Sequence, residues 1–161
     1  MRIFSLIFVY RIAKEEHISQ DGRGGLFGPG RWHRKGNLII YTSEHASLAA
    51  WEKLVHLVSL DNLPNDMVLA KIEIPENERI LTVPNMCWLK VGTDISFSVE
   101  NQNCGTSFLR SKTHLALKIP SVVIPGEYNI LLNPLHQGIH QCKLLSTVPF
   151  VFDTRISKLA D

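Results

Sequence analysis

The sequence has few of the residues that hold a chain together through disulfides or metal ions. Its 161 residues include three cysteines, Cys87, Cys104 and Cys142, and no CxxC pair. An odd cysteine number without that spacing disfavours a disulfide framework and a zinc site, and it is typical of a reducing compartment. His136 and His140 are four apart, but the intervening QGI does not favour a helix and no HExxH motif is present. We therefore predict a cytoplasmic protein without a bound metal ion.

Charge of one sign and long apolar runs are also lacking. The formal net charge is +2 and the basic residues are scattered, so nothing predicts direct nucleic-acid binding. No segment reaches the roughly 18 to 20 apolar residues that a membrane span requires. The first residues, MRIFSLIFVYRIAKEE, hold a short apolar run without a small-residue cleavage site after it. We expect this run to be a buried first strand rather than a signal peptide.

Length and patterning instead predict one compact α+β domain with mixed or antiparallel sheets and a few helices. β-type runs at 3–12, 37–43, 67–75, 79–83, 114–125, 127–134 and 140–156 suggest about seven strands. Prolines at several of these run ends mark strand ends or edges. Residues 95–112 are ambiguous, and a helix interrupted near Gly105 is one interpretation.

The clearest helix signal is the segment SEHASLAAWEKLVHLVS at 43–59. Its large apolar residues recur at intervals of three and four, which predicts one buried helix face. These residues are Leu48, Trp51, Leu54, Val55 and Val58. Ser43 is the expected N-cap, and Glu44 suits the positive end of the helix dipole.

The stretch GLFGPGRWHRKG at 25–36 is dense in glycine and basic residues. No GK[ST] ends it and a strand-like run follows it, so it is neither a Walker A loop nor a GxGxxG turn. Two interpretations stay open, a long turn between strands and an anion-binding loop. Arg31 favours the anion loop because a guanidinium fork suits a phosphate. Trp32 is expected to pack in the core or loop, with Arg34 and Lys35 solvated.

Three other polar residues leave alternatives open when taken alone. Glu52 lies beside the apolar helix stripe, where a glutamate is usually solvated, unless the helix lines a pocket. Arg11 ends an apolar strand and either emerges into water or faces a cleft. Ser121 lacks a GxSxG elbow and is as readily a strand hydroxyl bonded to the backbone. Composition and pattern therefore stop at an α+β domain with a candidate anion loop.

Read in order, these segments resemble the RES domain family. The resemblance rests on YRI, GRWHRKGNLIIYTSEHASLAAWEKLVH, VLAKIEIP, IPSVVIPGEYNILLNPLH and FVFDTRI. It covers about residues 8–156 of a single domain at 1–161, although 85–112 show no usable resemblance. The arginine, glutamate and serine that name the family match Arg31, Glu52 and Ser121.

The resemblance implies an ADP-ribosyltransferase-like fold and a bacterial toxin that depletes NAD+. Cleavage of the nicotinamide–ribose bond would be phosphorolysis to ADP-ribose 1″-phosphate and nicotinamide, or hydrolysis. NAD+ would be substrate rather than bound cofactor, and phosphate the expected co-substrate. The implied partner is an Xre-type antitoxin that covers the active site. Two alternatives stay open: mono-ADP-ribosylation of a specific protein, and a non-enzymatic interaction module with a vestigial pocket.

The resemblance also carries roles to individual residues. It implies that Arg11 and Arg31 hold the NAD+ pyrophosphate or the incoming phosphate, and that Tyr41 stacks on or orients nicotinamide. Glu52 would orient the ribose or stabilise its oxocarbenium-like centre. No metal ion is implied.

Ser121 and Asn133 would fix the nicotinamide-ribose end by hydrogen bonds, although Asn129 is an alternative to Asn133. Many family members carry GGRWN where this chain has GPGRWH, so Pro29 and His33 are departures. We expect them to affect how tightly the loop folds over the phosphates.

Overall fold

The computed structural model describes residues 6–18, 21–57, 63–75, 80–82 and 99–159. Within these ranges the chain forms one mixed sheet with helices packed against it, which confirms the predicted α+β class. The strands are β1 (Ile7–Lys14), β2 (Ile40–Ser43), β3 (Met67–Ile74), β4 (Ile80–Thr82), β5 (Ala116–Pro120), β6 (Tyr128–Leu132) and β7 (Lys143–Phe150). The α-helices are α1 (Gly24–Phe27), α2 (Ala46–Val55) and α3 (Val99–Ser111), with 3-10 helices at Glu15–His17, Gln137–Gln141 and Thr154–Leu159.

The sheet has the strand order β4-β5-β6-β2-β1-β3-β7, and every pairing except β4 with β5 is antiparallel. Strands β1 and β3 pair along eight residues, from Ile7 with Ile74 to Lys14 with Met67. By contrast, β1 and β2 share the single register pair Tyr10 with Ser43. The sheet therefore consists of two well-paired halves that join at one point.

Two apolar clusters cover the sheet. One contains buried residues of β1, β2, β3 and β6, among them Val9, Ile40, Ile72 and Leu132. The other joins α3 to β5, β6 and the glycine-rich stretch; its members include Trp32, Phe108, Ile119 and Leu131. Fully burying each large side chain of this kind contributes about 1.5–3 kcal/mol. Trp32, 2% exposed, is therefore a core residue, as its packing interpretation predicted.

Helix α2 differs from its predicted form at its start and on its apolar face. It begins at Ala46 with His45 as N-cap, because Ser43 is the last residue of β2 and its hydroxyl bonds Asn129 instead. Leu48 is fully buried, but Trp51 and Val55 are 51% and 54% exposed. The reason is that the side facing β1 carries small residues, which allow close packing: Ala49 contacts Ile12 and Met67. Val58 lies outside the described residues.

Helix α3 runs through Gly105 without interruption, so the suggested break there is wrong. A Cβ at Gly105 would overlap the backbone carbonyl of Trp32. The glycine therefore permits close contact between α3 and the glycine-rich stretch. That stretch contains one turn of helix, α1, which the sequence pattern did not indicate. The remainder of the ambiguous segment, residues 95–98, lies outside the described residues.

In the part of the chain that the structure describes, no helix is long and apolar enough to cross a membrane.

Candidate active site

The candidate site centres on the carboxylate of Glu52. This residue lies on α2 one turn beyond the fully buried Leu48, which fixes the helix against the sheet. Its Oε1 accepts two hydrogen bonds, from Ser121 Oγ at 2.8 Å and from Asn129 Nδ2 at 2.6 Å. Within the described residues Oε2 makes no hydrogen bond, so one oxygen is anchored and the other remains available.

Ser121 follows β5 directly, and its hydroxyl is fully engaged. Its Oγ donates to Glu52 and accepts from the backbone N–H groups of Val123 at 3.0 Å and Ile124 at 3.1 Å. A serine hydroxyl has one proton and two lone pairs, so this set uses its whole capacity. Ser121 therefore positions the carboxylate and stabilises the turn after β5. Both oxygen lone pairs already accept hydrogen bonds, so neither is free for a nucleophilic attack.

Asn129 links Glu52 to β2. Its Nδ2 donates to Glu52, and its Oδ1 accepts from Ser43 Oγ at 2.6 Å. Ser43 and Asn129 are register partners in β2 and β6, so both side chains project from the same face of the sheet. The donors thus form a chain from Ser43 through Asn129 to the carboxylate.

Asn133, in contrast, is not brought to this cluster. It is fully buried, its Nδ2 donates to the Leu109 carbonyl at 2.9 Å and its Oδ1 accepts from the Leu135 N–H at 3.0 Å. Both ends of the amide connect α3 to the segment after β6. Asn129 therefore occupies the place at the site that was expected for Asn133.

Arg11 lies in the middle of β1 and carries a buried charge. Its Nη1 is buried and, within the described residues, has no hydrogen-bond partner. Burial lowers the pKa of this guanidinium, and the charge of Asp21 partly opposes the shift. An unpaired buried donor is costly, about 1–3 kcal/mol and more for a charged group. Such a group indicates a ligand that would supply the missing acceptor.

Lys53 adds a second cation close to Arg11. It follows Glu52 on α2 and is half-buried. Burial lowers the pKa of its ammonium group, and the positive charge of Arg11 lowers it further. Two cations in such proximity favour an anion between or beside them. The sequence pattern did not single out Lys53, because a lysine on an amphipathic helix is normally solvated.

The glycine-rich stretch holds Arg31 through contacts with α3. Gln102 Nε2 on α3 donates to the Gly30 carbonyl at 3.0 Å. Arg34, which was expected to be solvated, donates from Nε and Nη2 to Asn103 Oδ1 at 3.1 and 2.6 Å. Its backbone N–H also donates to Thr106 Oγ1 at 3.1 Å. The loop is therefore fixed on both sides of Arg31, which itself is partly exposed.

Tyr41 on β2 stands next to this loop. Its hydroxyl lies 2.9 Å from His33 Nδ1, while 37% of the residue remains exposed. Burial of the hydroxyl raises the Tyr41 pKa, although a hydrogen bond from the Trp32 backbone and the charge of Arg31 lower it. The phenol stays protonated at neutral pH and presents one ring surface to solvent.

The structure thus joins Glu52 directly to Ser121, and places the Arg31 charge near Tyr41. Ser43 and Lys53 are further polar residues of this region that sequence reasoning missed, whereas His33 was named there only as a departure within the loop. The alternation of β2 and β6 could have placed Ser43 beside Asn129, but only with the strand register known. No cluster of three metal-ligating residues occurs in the described ranges. Buried His136 instead accepts a hydrogen bond from the Gly138 N–H at 3.0 Å.

Known proteins resemble this chain in sequence and in fold. The family model for the RES domain matches residues 8–153. A protein named Toxin Res from Yersinia enterocolitica is 33% identical over 154 residues, covering 93% of this chain and 99% of its own length. A Prs ADP-ribosylating toxin from a Sphingobium species is 31% identical over 145 residues, covering 87% of this chain and 88% of its own. A chain in the crystal structure of the M. tuberculosis MbcT–MbcA toxin–antitoxin complex has a TM-score of 0.64 at 16% identity, over 96% of this chain and 88% of that one.

The fold is accordingly α+β of the ADP-ribosyltransferase-like kind, as expected. Within that fold class, this chain belongs to the RES domain family.

Proposed function

We propose that this protein is the toxin component of a bacterial toxin–antitoxin system and depletes NAD+ by cleaving its nicotinamide–ribose bond. The observation that carries the proposal is the Glu52 carboxylate, with one oxygen anchored by Ser121 and Asn129 and the other available. The names of the relatives that contain the word toxin support the wider role.

The chemistry suits an anchored carboxylate. As the glycosidic bond breaks, nicotinamide leaves with the bonding electron pair and positive charge develops on the ribose ring. A carboxylate held in place needs no reorganisation to stabilise that charge, which is the most effective form of electrostatic catalysis. Glu52 Oε2 is the atom proposed to face the ribose, while Ser121 and Asn129 hold the carboxylate from behind.

The cations supply the complementary half of the site. NAD+ carries a pyrophosphate, and phosphorolysis requires a second anion, inorganic phosphate, to attack the ribose carbon. We propose that Arg11 and Arg31 hold these anions, because a guanidinium binds phosphate oxygens through paired hydrogen bonds. The buried Nη1 of Arg11 would gain an acceptor when the ligand binds. Phosphate attack gives ADP-ribose 1″-phosphate, whereas attack by water gives ADP-ribose and a proton.

Tyr41 completes the proposed substrate contacts. Its partly exposed ring would stack on or orient nicotinamide, and its hydroxyl is already fixed. An ordered aromatic ring positions a planar leaving group with little loss of side-chain entropy.

A second candidate function is transfer of ADP-ribose to a specific protein. The relative named Prs ADP-ribosylating toxin favours this alternative, since it is 31% identical over most of both chains. The same carboxylate would serve, and only the acceptor would differ.

The proposal includes a partner and a location. An antitoxin of the Xre type would cover the site and inhibit the toxin. The protein would act in the cytoplasm. The toxin–antitoxin complex among the structural relatives supports a partner of this kind.

One experiment separates the candidates. Purified protein is incubated with NAD+ alone, with added inorganic phosphate, or with an added protein extract, and the products are followed by mass spectrometry. ADP-ribose 1″-phosphate that forms only with phosphate supports phosphorolysis, and ADP-ribose supports hydrolysis. ADP-ribose attached to an added protein extract supports transfer. NAD+ that stays intact under all three conditions would refute the enzyme and leave the non-enzymatic interaction module.

A further inference from the structure

This chain has His33 where the GGRWN motif of the resemblance has asparagine. His33 connects two parts of the candidate site. The ring is 4% exposed, with Nδ1 2.9 Å from the Tyr41 hydroxyl and Nε2 3.1 Å from the Gly28 carbonyl. Its own backbone carbonyl accepts from the Gly30 N–H at 3.0 Å. The residue therefore ties β2 to the turn that precedes Arg31.

The partners fix the protonation of the ring. A carbonyl oxygen can only accept, so Nε2 must carry a proton and donate to Gly28. In the neutral ring Nδ1 is then an acceptor, and the Tyr41 O–H must donate to it. If the ring is doubly protonated, Nδ1 also becomes a donor. The Tyr41 hydroxyl would then have to reverse, turning its proton away from His33.

The surrounding glycines leave room for this contact and little else. A Cβ at Gly30 would lie 2.6 Å from His33 Cε1 and 2.7 Å from the Tyr41 hydroxyl oxygen. A Cβ at Gly25 would lie 3.1 Å from His33 Nε2. Gly30 is therefore needed for the imidazole to lie between Tyr41 and Gly28, and a side chain at Gly25 would be tight against the ring. The Tyr41 hydroxyl, the Gly28 carbonyl and the Gly30 backbone together fix the position of the ring.

We propose that His33, as a neutral imidazole, is a positioning residue that holds the Tyr41 hydroxyl and anchors the Gly28–Gly30 turn beside Arg31. Protonation of the ring reverses this hydrogen bond and places a charge in a buried turn, so we expect the site to work only while His33 is neutral. The effect on activity rests on the proposed NAD+ chemistry, but the contact itself can be tested without it.

The direction of the pH effect follows from the surroundings of the ring. Burial lowers the His33 pKa below its ordinary value of 6.5, and the hydrogen bond to Gly28 partly opposes this. Among the described residues no charged group contributes to the shift: Arg31 acts on Tyr41, and Arg34 bonds Asn103 on α3. Since the unfolded state takes up a proton more readily, the stability contribution of neutral His33 is present above pH 6.5 and is lost as the pH falls below it. Activity should fall at a lower pH, where the ring of the folded protein itself takes up a proton.

The first test compares pH profiles of NAD+ consumption for the unchanged chain, His33→Asn and His33→Phe. Asparagine places Oδ1 near the Nδ1 position and accepts from Tyr41 at every pH. We expect the unchanged chain to lose kcat as one proton binds, and His33→Asn to stay active without that acid limb. His33→Phe should lower kcat about 10-fold or more with little change in KM, because misplacement of a site group affects the chemical step. An unchanged acid limb in His33→Asn would overturn the proposal.

The second test reads the contact directly by NMR. In the unchanged chain the ring nitrogens of His33 should report a neutral ring protonated at Nε2. Tyr41→Phe removes the donor to Nδ1 and should shift the Nδ1 signal and the His33 pKa, while Tyr128→Phe, on β6, should change neither. If Tyr41→Phe leaves the His33 signals and titration unchanged, the pair does not exist and the proposal fails. If no variant consumes NAD+ at any pH but the NMR shifts appear, the proposed function fails and the positioning contact stands.

Discussion

The candidate site has a carboxylate side, formed by Glu52 with Ser121 and Asn129, and an arginine side, formed by Arg11, Arg31 and Lys53. The two sides differ in how fully their charged groups are hydrogen-bonded. Glu52 Oε1 receives two short hydrogen bonds, and both of its donors are themselves held by further groups. Among the described residues, the buried Nη1 of Arg11 has no hydrogen-bond partner, and burial and the charge of Arg11 lower the pKa of the half-buried Lys53. The carboxylate is therefore already oriented in the free protein, whereas the guanidinium still lacks an acceptor.

This difference indicates which side would gain hydrogen bonds when a ligand binds. A carboxylate that must stabilise a developing charge is most effective when it is already oriented, and its orientation is bonded into the fold. Cations that must bind an anion carry instead an energetic cost that the anion relieves. Under the proposed function, the free protein thus keeps the Glu52 carboxylate oriented and leaves binding energy to be gained at the arginine side.

The largest effect is expected from removing the charge on the carboxylate side. Glu52→Gln keeps an oxygen that accepts from Ser121 and Asn129, so the fold should stay intact. We expect it to abolish NAD+ consumption, a loss of about 10²- to 10³-fold or more. Arg31→Ala, on the arginine side, should reduce NAD+ consumption by a similar factor.

The measurement is the initial rate of nicotinamide release, with circular dichroism to verify folding. Glu15→Gln, an exposed glutamate after β1, is the matched control and should consume NAD+ at the parent rate. Parent activity in either Glu52→Gln or Arg31→Ala would invalidate the assignment of the site.

Arg11→Met should separate binding from stability. We expect NAD+ consumption to fall by about 10²-fold, mainly through a higher KM, because the anion loses a charged partner. The free energy of unfolding should be unchanged or rise by about 1 kcal/mol, since methionine removes a buried unpaired charge. Urea denaturation measures this. A marked loss of stability would mean that Arg11 is already satisfied in the free protein, and the contrast between the two sides would disappear.

The two asparagines test the carboxylate side with opposite expected results. Asn129→Ala removes a donor to Glu52 and should lower kcat by about 10- to 100-fold. Asn133→Ala leaves the Leu109 carbonyl and the Leu135 N–H without partners and should cost about 1–3 kcal/mol of stability. Its activity per folded molecule should stay close to that of the parent. If Asn133→Ala instead lowered kcat and Asn129→Ala lowered only stability, Asn133 would be the asparagine that acts at the site.

The smallest effect is expected from Lys53→Met. Loss of this charge should raise the KM for NAD+ a few-fold and leave kcat unchanged, because Lys53 contributes to the field rather than to the reacting atoms. The effect should shrink in high salt as the charge is screened. The control is Lys158→Met, an exposed lysine in the last 3-10 helix, which should not alter the KM. Equal KM values for both variants would show that the Lys53 charge does not contribute to NAD+ binding.

The parts of this site that the sequence revealed are those with local signals. The β runs gave about seven strands, and the helix period gave the position of α2 and hence of Glu52. The residue matches that came with the RES resemblance led to Ser121 and to the asparagine alternatives. For the strands and α2 a spacing along the chain was enough, whereas Ser121 and the asparagines came from the resemblance alone.

The missed features depend on contacts between distant segments. Ser43 looks like a helix N-cap, but the register of β2 and β6 gives its hydroxyl to Asn129. Trp51 fits an apolar stripe, but the small Ala49 turns α2 so that the tryptophan is exposed. Gly105 suggests a helix break, but it is the point where α3 touches the Trp32 backbone.

The single pair between Tyr10 and Ser43 has a consequence for how the protein loses activity on heating. Each half of the sheet is well paired internally, so the join is where cooperative unfolding units are expected to separate. Arg11 belongs to one half, whereas Tyr41 and Asn129 belong to the other. Separation of the halves would therefore dismantle the site while most secondary structure persists, and catalysis should fail on warming before the circular dichroism signal does.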